Sequence, residues 1–279
     1  MMRWPSFAVA PEPSRPGFAL GPRPGEIRAS LQGIELGVSR GGVEYTLSEL
    51  DGWTNGSSGR GGRIARPYSD GGIQGRVDME SRALRLGGLI TAPTQRGLWS
   101  EMERLGSVLT SPRWDWLRID EDLLGMSRQI AVSRIARPMI TELAPLVASY
   151  TLDLEADDYP RLGVDEQVVS IPLGSSAPVV NAGDYPATLE AMFYGPLTQP
   201  RLRFGGDLPG TWRYGANINA GQRLQVEFDR RIVRNPDTQG HSRVYASGDW
   251  PRLAPGQTTF HLEGAGTGRV ELRWRSAWN

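Results

Sequence analysis

A chain of 279 residues with 35 glycines, 21 prolines and nine tryptophans is long enough for two cores, and its composition favours short strands and turns over long helices. Its 31 basic residues, all arginine, balance 31 acidic ones, which argues against a dedicated nucleic-acid or membrane-surface binder, since both carry net positive charge. With no cysteine, neither a disulfide framework nor a thiolate metal site is available.

The complete lack of lysine fits a GC-rich coding genome. Residues 1–25 read as an extended arm, because Pro5, Pro11, Pro13, Pro16, Pro22 and Pro24 remove donors and disfavour helix before each of them. The arm has no apolar stretch of the kind a secretion signal needs, and no segment of the chain is apolar enough to span a membrane. From Glu26 strands are expected over 27–31, 34–38 and 45–50. Residues 55–63 read as a flexible glycine-rich loop whose spacing fits neither a P-loop nor a dinucleotide fingerprint. The longer stretch 55–66 carries Arg60, Arg63 and Arg66, and it is a candidate to reach across a subunit boundary or towards a channel. Val77 and Met79, then Leu84 and Leu86, alternate with polar residues and suggest a hairpin turning near Ser81 and Arg82.

One helix is expected from about Thr94 to Thr110. Leu98, Met102, Leu105 and Leu109 form one stripe, Pro93 and Thr94 suit its start, and Ser111-Pro112 stops it. Strands then follow at Trp114 to Leu117, 130–135 and 147–155, the last with Tyr150, Leu152 and Leu154 facing one way. The hydrophilic stretch 156–165 reads as a linker. Glu155, Asp157 and Asp158 lack the looped spacing of a calcium site, so a solvated acidic turn is the simpler reading.

Past the linker, strands are expected over 168–173, 189–193, 202–204 and 211–214. The run from Arg223 then alternates strictly, with Leu224, Val226 and Phe228, then Phe260 and Leu262, then Val270, Leu272 and Trp274 on one face, and with turns rich in Gly, Pro, Asn and Asp between them. The expected architecture is mainly all-β: an arm at 1–25, a β domain with one helix at 26–163, and a β-sandwich at 164–279 that closes on its own final strand.

Several phrases resemble one family. Asn181-Ala182-Gly183-Asp184-Tyr185-Pro186-Ala187, Gly195-Pro196-Leu197-Thr198-Gln199-Pro200, the turn and strand Ala220 to Phe228, Leu253 to Phe260 and the ending Val270 to Trp278 are together similar to the C-terminal sandwich of siphophage distal tail proteins. The order of elements before them is similar to that family's ring-forming domain. The resemblance implies a non-enzymatic virion protein of the tail tip, made in the host cytoplasm. It also implies a homo-hexameric ring of N-terminal domains that joins the tail tube to the baseplate, with galectin-like sandwiches outside. Tail tube protein, tape measure protein and a tail-tip or tail-associated protein are the implied partners, with no membrane, no sequence-specific nucleic acid and no cofactor.

A carbohydrate-binding module that recognises a host cell-wall glycan is the alternative, with Trp212, Tyr214 and Trp250 as candidate stacking rings; Trp250 reads more simply as a plug at the end of the sandwich. No catalytic or metal residue is expected. His241 and His261 have no His or Cys at ligand spacing, and no acid pair stands out.

Overall fold

The computed structural model describes residues 27–54, 59–60, 63–65, 70, 72–74, 78–156, 160–206, 209–238, 240 and 243–279. Among these it is almost entirely antiparallel sheet, with one α-helix. The buried residues form two cores, one drawn from Ala29 to Ala156 and one from Ile171 to Ala277.

The first core lies inside a sheet that curls into a nearly closed barrel. Its strands run Ile34–Leu36, Ile27–Leu31, Trp114–Glu121, Met126–Arg134, Val147–Ala156, Arg82–Thr91, Val43–Tyr45 and Val38–Arg40. The spine is the ten-residue ladder between Arg82–Thr91 and Val147–Ala156. Strict alternation along the latter buries Ala148, Tyr150, Leu152, Leu154 and Ala156, as a half-buried strand requires. Arg82 is therefore no hairpin turn. Asp78–Met79 pairs with Gly59–Arg60 instead, and Arg82 begins the spine. The run expected as one strand over 45–50 is split into Val43–Tyr45 and Glu49–Asp51, both laid on Arg82–Thr91. Between them Thr46 comes so close that a Cβ on Gly88 would lie 2.0 Å from its carbonyl oxygen, so only glycine fits there.

The helix runs Gln95–Gly106 and packs Leu98 and Leu105 into this core beside the half-buried Met102 and Ile140. Thr94 starts it with extended backbone, its Oγ1 accepting from Gly97 N at 3.1 Å. Arg134 closes the other end by donating to the Gly106 and Val108 carbonyls at 3.2 and 3.0 Å. Replacing Thr94 by Ala removes one cap and is expected to cost about 1 kcal/mol in urea unfolding. A loss below about 0.3 kcal/mol would show that packing alone fixes the helix start.

The second core lies between two sheets. One runs Gln167–Pro172, Arg269–Trp274, Leu189–Tyr194, Arg223–Glu227, Ile232–Arg234; the other runs Ser176–Asn181, Gly256–Gly266, Leu197–Gly205, Gly210–Tyr214, Ala246–Gly248. Inward residues of both sheets interdigitate, among them Phe193, Phe260, Leu262 and Leu272.

Two features of the joint between the cores differ from expectation. The stretch 156–165 is not only a solvated turn, since Arg161–Gly163 is a strand paired with Met126–Arg134. The closing block is not self-contained either. Its last strand, Ala277–Trp278, pairs with Arg161 and Leu162 and so extends the first unit's sheet. An apolar period shows that a residue is covered, but it does not say by which sheet.

Candidate assembly surface

Among the described residues, ten of the fourteen exposed large apolar side chains lie between Leu89 and Leu146, so the first unit, not the sandwich, carries most of the apolar surface. Its centre is a strand that the alternation of the sequence does not single out, Met139–Ala144, set between Pro138 and Pro145. The strand pairs with Val147–Ala156 through a two-residue turn, and no described strand covers its far edge. Pro at both ends and a bulge after Glu142 are what an edge strand carries.

The ladder Met139, Thr151, Gly87 and its neighbour Thr141, Ser149, Leu89 place six uncharged residues on one face. That face turns away from the core, because Leu86, Ile90, Tyr150 and Leu152 between them are buried. Met139 is 69% exposed, and Leu143 and Leu146 extend the patch around the turn. Charges border it on the inner side, where Glu49 pairs with Gly87 and lays its carboxylate over that glycine, and at the Arg85–Asp153 pair, at 2.7 Å, one step further along. From the other side the helix clamps the strand, with Trp99 Nε1 and Gln95 Nε2 donating to Glu142 at 3.1 and 3.4 Å. The result is an open-edged sheet face, apolar around Met139 and Leu89 and bordered by Glu49.

At the joint between the units a second cluster forms. Glu121 accepts from both Nε (2.8 Å) and Nη2 of Arg128 and from Trp53 Nε1 at 3.3 Å, with both charged side chains buried. Arg161 lies 5.3 Å from the Trp53 ring centroid and donates to the Asn279 carbonyl, while Arg128 sits 5.8 Å from the Trp53 ring and 5.9 Å from the Trp278 ring. Burial first, then the neighbouring Arg128 and Arg82, pulls the Arg161 guanidinium down to about 10, so it stays charged at neutral pH.

At the same end of the sandwich the Asn181 amide is the centre of the contacts that hold the last strand. Asn181 is buried, its Nδ2 donates to the Tyr185 and Leu253 carbonyls at 2.8 and 3.1 Å, and its Oδ1 accepts from Gly183 N and Ala277 N at 3.1 and 3.2 Å. Ala182 N donates to Ser276 Oγ, Tyr185 N to the Ala277 carbonyl and Asn279 N to Asp184 Oδ1. The phrase Asn181 to Pro186 is thus a clasp, a role its local sequence does not disclose because the clasped strand lies more than ninety residues on.

The candidate glycan rings need correction. Trp212 and Tyr214 are buried in the sandwich, Trp212 stacked on Phe193 at 5.2 Å, so neither offers a face to a sugar. Trp250 is half-buried against Trp212 and Phe228, with Arg243 4.5 Å from its ring centroid. For the basic loop, Gly59–Arg60 and Arg63–Ala65 are short strands, which replaces the irregular loop expected there, while the side chains of Arg60 and Arg63 and the whole of Arg66 lie outside the described residues. Asp157, Asp158 and His241 lie outside them too.

His261 Nδ1 is 2.9 Å from Ser176 Oγ and its Nε2 3.9 Å from Glu263 Oε1, an order of groups that invites comparison with a nucleophile and its base. Glu263, however, accepts from Arg203 at 3.0 Å, and the four residues form a cross-strand polar ladder on the outer sheet face.

No protein-family model matches the chain, and no curated protein does. In fold it is similar to the crystal structure of the SPP1 Dit (gp 19.1) protein, described as a paradigm of the hub adsorption apparatus in phages infecting Gram-positive bacteria. Identity is 15%, and the match covers 88% of this chain and 98% of that one with a TM-score of 0.63. Baseplate structures of phage P2 in its activated conformation, with Ca and with Sr, match at 9% identity over 89% of this chain and 97% of theirs, with TM-scores of 0.48 and 0.47.

Proposed function

We propose that this chain, whose fold is shared almost end to end with a phage distal tail hub protein, is a structural protein of a siphophage tail. In this reading it forms a homo-hexameric ring at the tail tip that joins the tail tube to the baseplate, with the galectin-like sandwich outside the ring. The tail tube protein, tape measure protein and a tail-tip protein are its partners, and the role requires no reacting group. A loop reaching across the subunit boundary from residues 55–66 belongs to the same reading.

The observation that carries the ring is the open-edged face around Met139 and Leu89. A subunit that closes a tube makes heterologous contacts, one face meeting a different face of the next copy. A mostly apolar sheet face beside an open edge supplies such a contact, because a neighbour can bury the apolar side chains and take up the edge's backbone groups together.

The test uses the full chain, in light scattering and negative-stain microscopy. Wild type is expected to form six-membered rings, alone or on tail-tip partners. Met139→Asp combined with Leu89→Asp is expected to leave monomers whose circular dichroism is unchanged. Rings that persist in this variant would remove the face from the interface, and rings of the sandwich alone would overturn the reading.

A further inference from the structure

A crevice of about 460 Å³ opens between the two units. That volume falls in the range of small-ligand sites, and the seam between units is where such sites are found. One wall belongs to the first unit: Trp116, 40% exposed, lies over the strand pair Trp116–Ala131, with Pro160 and Leu162 beside it. The facing wall is the outer face of the sandwich, with Glu190 and Glu227 directly opposite one another on adjacent strands, and Asp229 and Arg252 paired at its rim.

We propose that this crevice binds a saccharide, one pyranose ring stacking on the Trp116 indole while its hydroxyls bond to the carboxylates and guanidinium of the facing wall. The division of the walls is what selects the ligand. A sugar ring has an apolar C–H face and a polar rim, and here a flat aromatic surface is set across from planar charged groups that make strong, directed hydrogen bonds to hydroxyls. The polar groups are already held in position. Glu227 is gripped by Arg234 at 3.1 Å and Arg230 at 3.8 Å, so little side-chain freedom remains to be lost on binding.

Other ligand classes fit the walls less well. Three carboxylates against two guanidinium groups disfavour a phosphate-bearing ligand. An extended peptide wants a free strand edge, whereas Glu190 and Glu227 each lie on strands paired on both sides. The sandwich rings Trp212 and Tyr214 play no part, and the site does not depend on ring formation.

The test applies the full-length protein to a printed glycan array and follows any hit by titration with the soluble oligosaccharide. Saturable binding is expected. Trp116→Ala should weaken it about tenfold, the scale of one stacked ring, and Glu190→Gln, which keeps the shape of the wall, should weaken it several-fold. Tyr245→Ala, an exposed aromatic outside the crevice, should leave it unchanged. Melting curves of each variant check the fold. No glycan bound at millimolar concentration, binding unaffected by both crevice variants, or binding of a proline-rich peptide array in place of glycans would each overturn the assignment. Light scattering on the same samples reads the oligomer separately, so a protein that binds sugar as a monomer supports the crevice whatever becomes of the ring.

Discussion

Replacing Asn181 by Asp is expected to destabilise the protein by about 1–3 kcal/mol, because the Tyr185 and Leu253 carbonyls both lose the donor that its Nδ2 supplies, although the Leu253 carbonyl keeps Ala187 N. The substitution keeps the shape of the side chain and the acceptor for Gly183 N and Ala277 N, while turning an oxygen towards the Tyr185 and Leu253 carbonyls. The oxygen turned towards the two carbonyls meets acceptors there, so it stays ionised against their dipoles or takes up a proton at a cost. The loss should show as a lower urea midpoint. Amide exchange of Ala277 and Trp278 should quicken more than that of the sandwich interior, since the amide ties down their strand. A shift below about 1 kcal/mol would mean that the clasp holds by its backbone bonds alone.

The ion pair at the joint should be costlier to break. Glu121→Gln leaves Arg128 buried, with the carboxylate oxygen that both its Nε and Nη2 donate to gone and Arg161 nearby adding like charge. Removing one partner of a buried pair typically costs about 3–5 kcal/mol, most of it the burden of the stranded charge. The double variant Glu121→Leu with Arg128→Met removes both charges together, and it is expected to recover most of that loss, as apolar replacements of buried pairs do. Urea unfolding of the three proteins decides it. If the double variant is less stable than Glu121→Gln, the pair contributes net attraction beyond its own desolvation, and the stranded charge is not the main cost.

Much of this fold was legible because its information is local. The alternation in Val147–Ala156, Arg223–Glu227 and Arg269–Trp274 and the stripe Leu98, Met102 and Leu105 each report burial within one element. Thr94 reports its helix start for the same reason. What stayed hidden depends on pairing between distant segments. Met139–Ala144 has little alternation, since one of its edges and one of its faces are open, and Leu143 sits in a bulge. Arg161–Gly163 reads as polar linker because its arginine is buried by Trp53 and the end of the chain, partners no window on the sequence contains. Trp116 and Glu190 lie in different units, and only the folded chain sets them across one crevice. Trp212 and Tyr214 misled for the opposite reason: an aromatic on a strand has the same signature whether its ring meets a core or a ligand.

The pairing of Ala277–Trp278 with Arg161–Gly163 also orders events in time. Arg161 meets Asn279 across 118 residues, so the edge of the first sheet stays unfinished until the sandwich has been synthesised and its last strand has swung back. Contacts of such range close late, because the loop between them must first be organised. A nascent chain stopped after residue 270 should therefore show ready protease cleavage around 160–164, and the full chain should lose that sensitivity in its slowest refolding phase. Protection already complete in the stopped chain would contradict this sequence of events. The first sheet thus carries a strand lent by the second unit, so unfolding of the sandwich should loosen that edge as well.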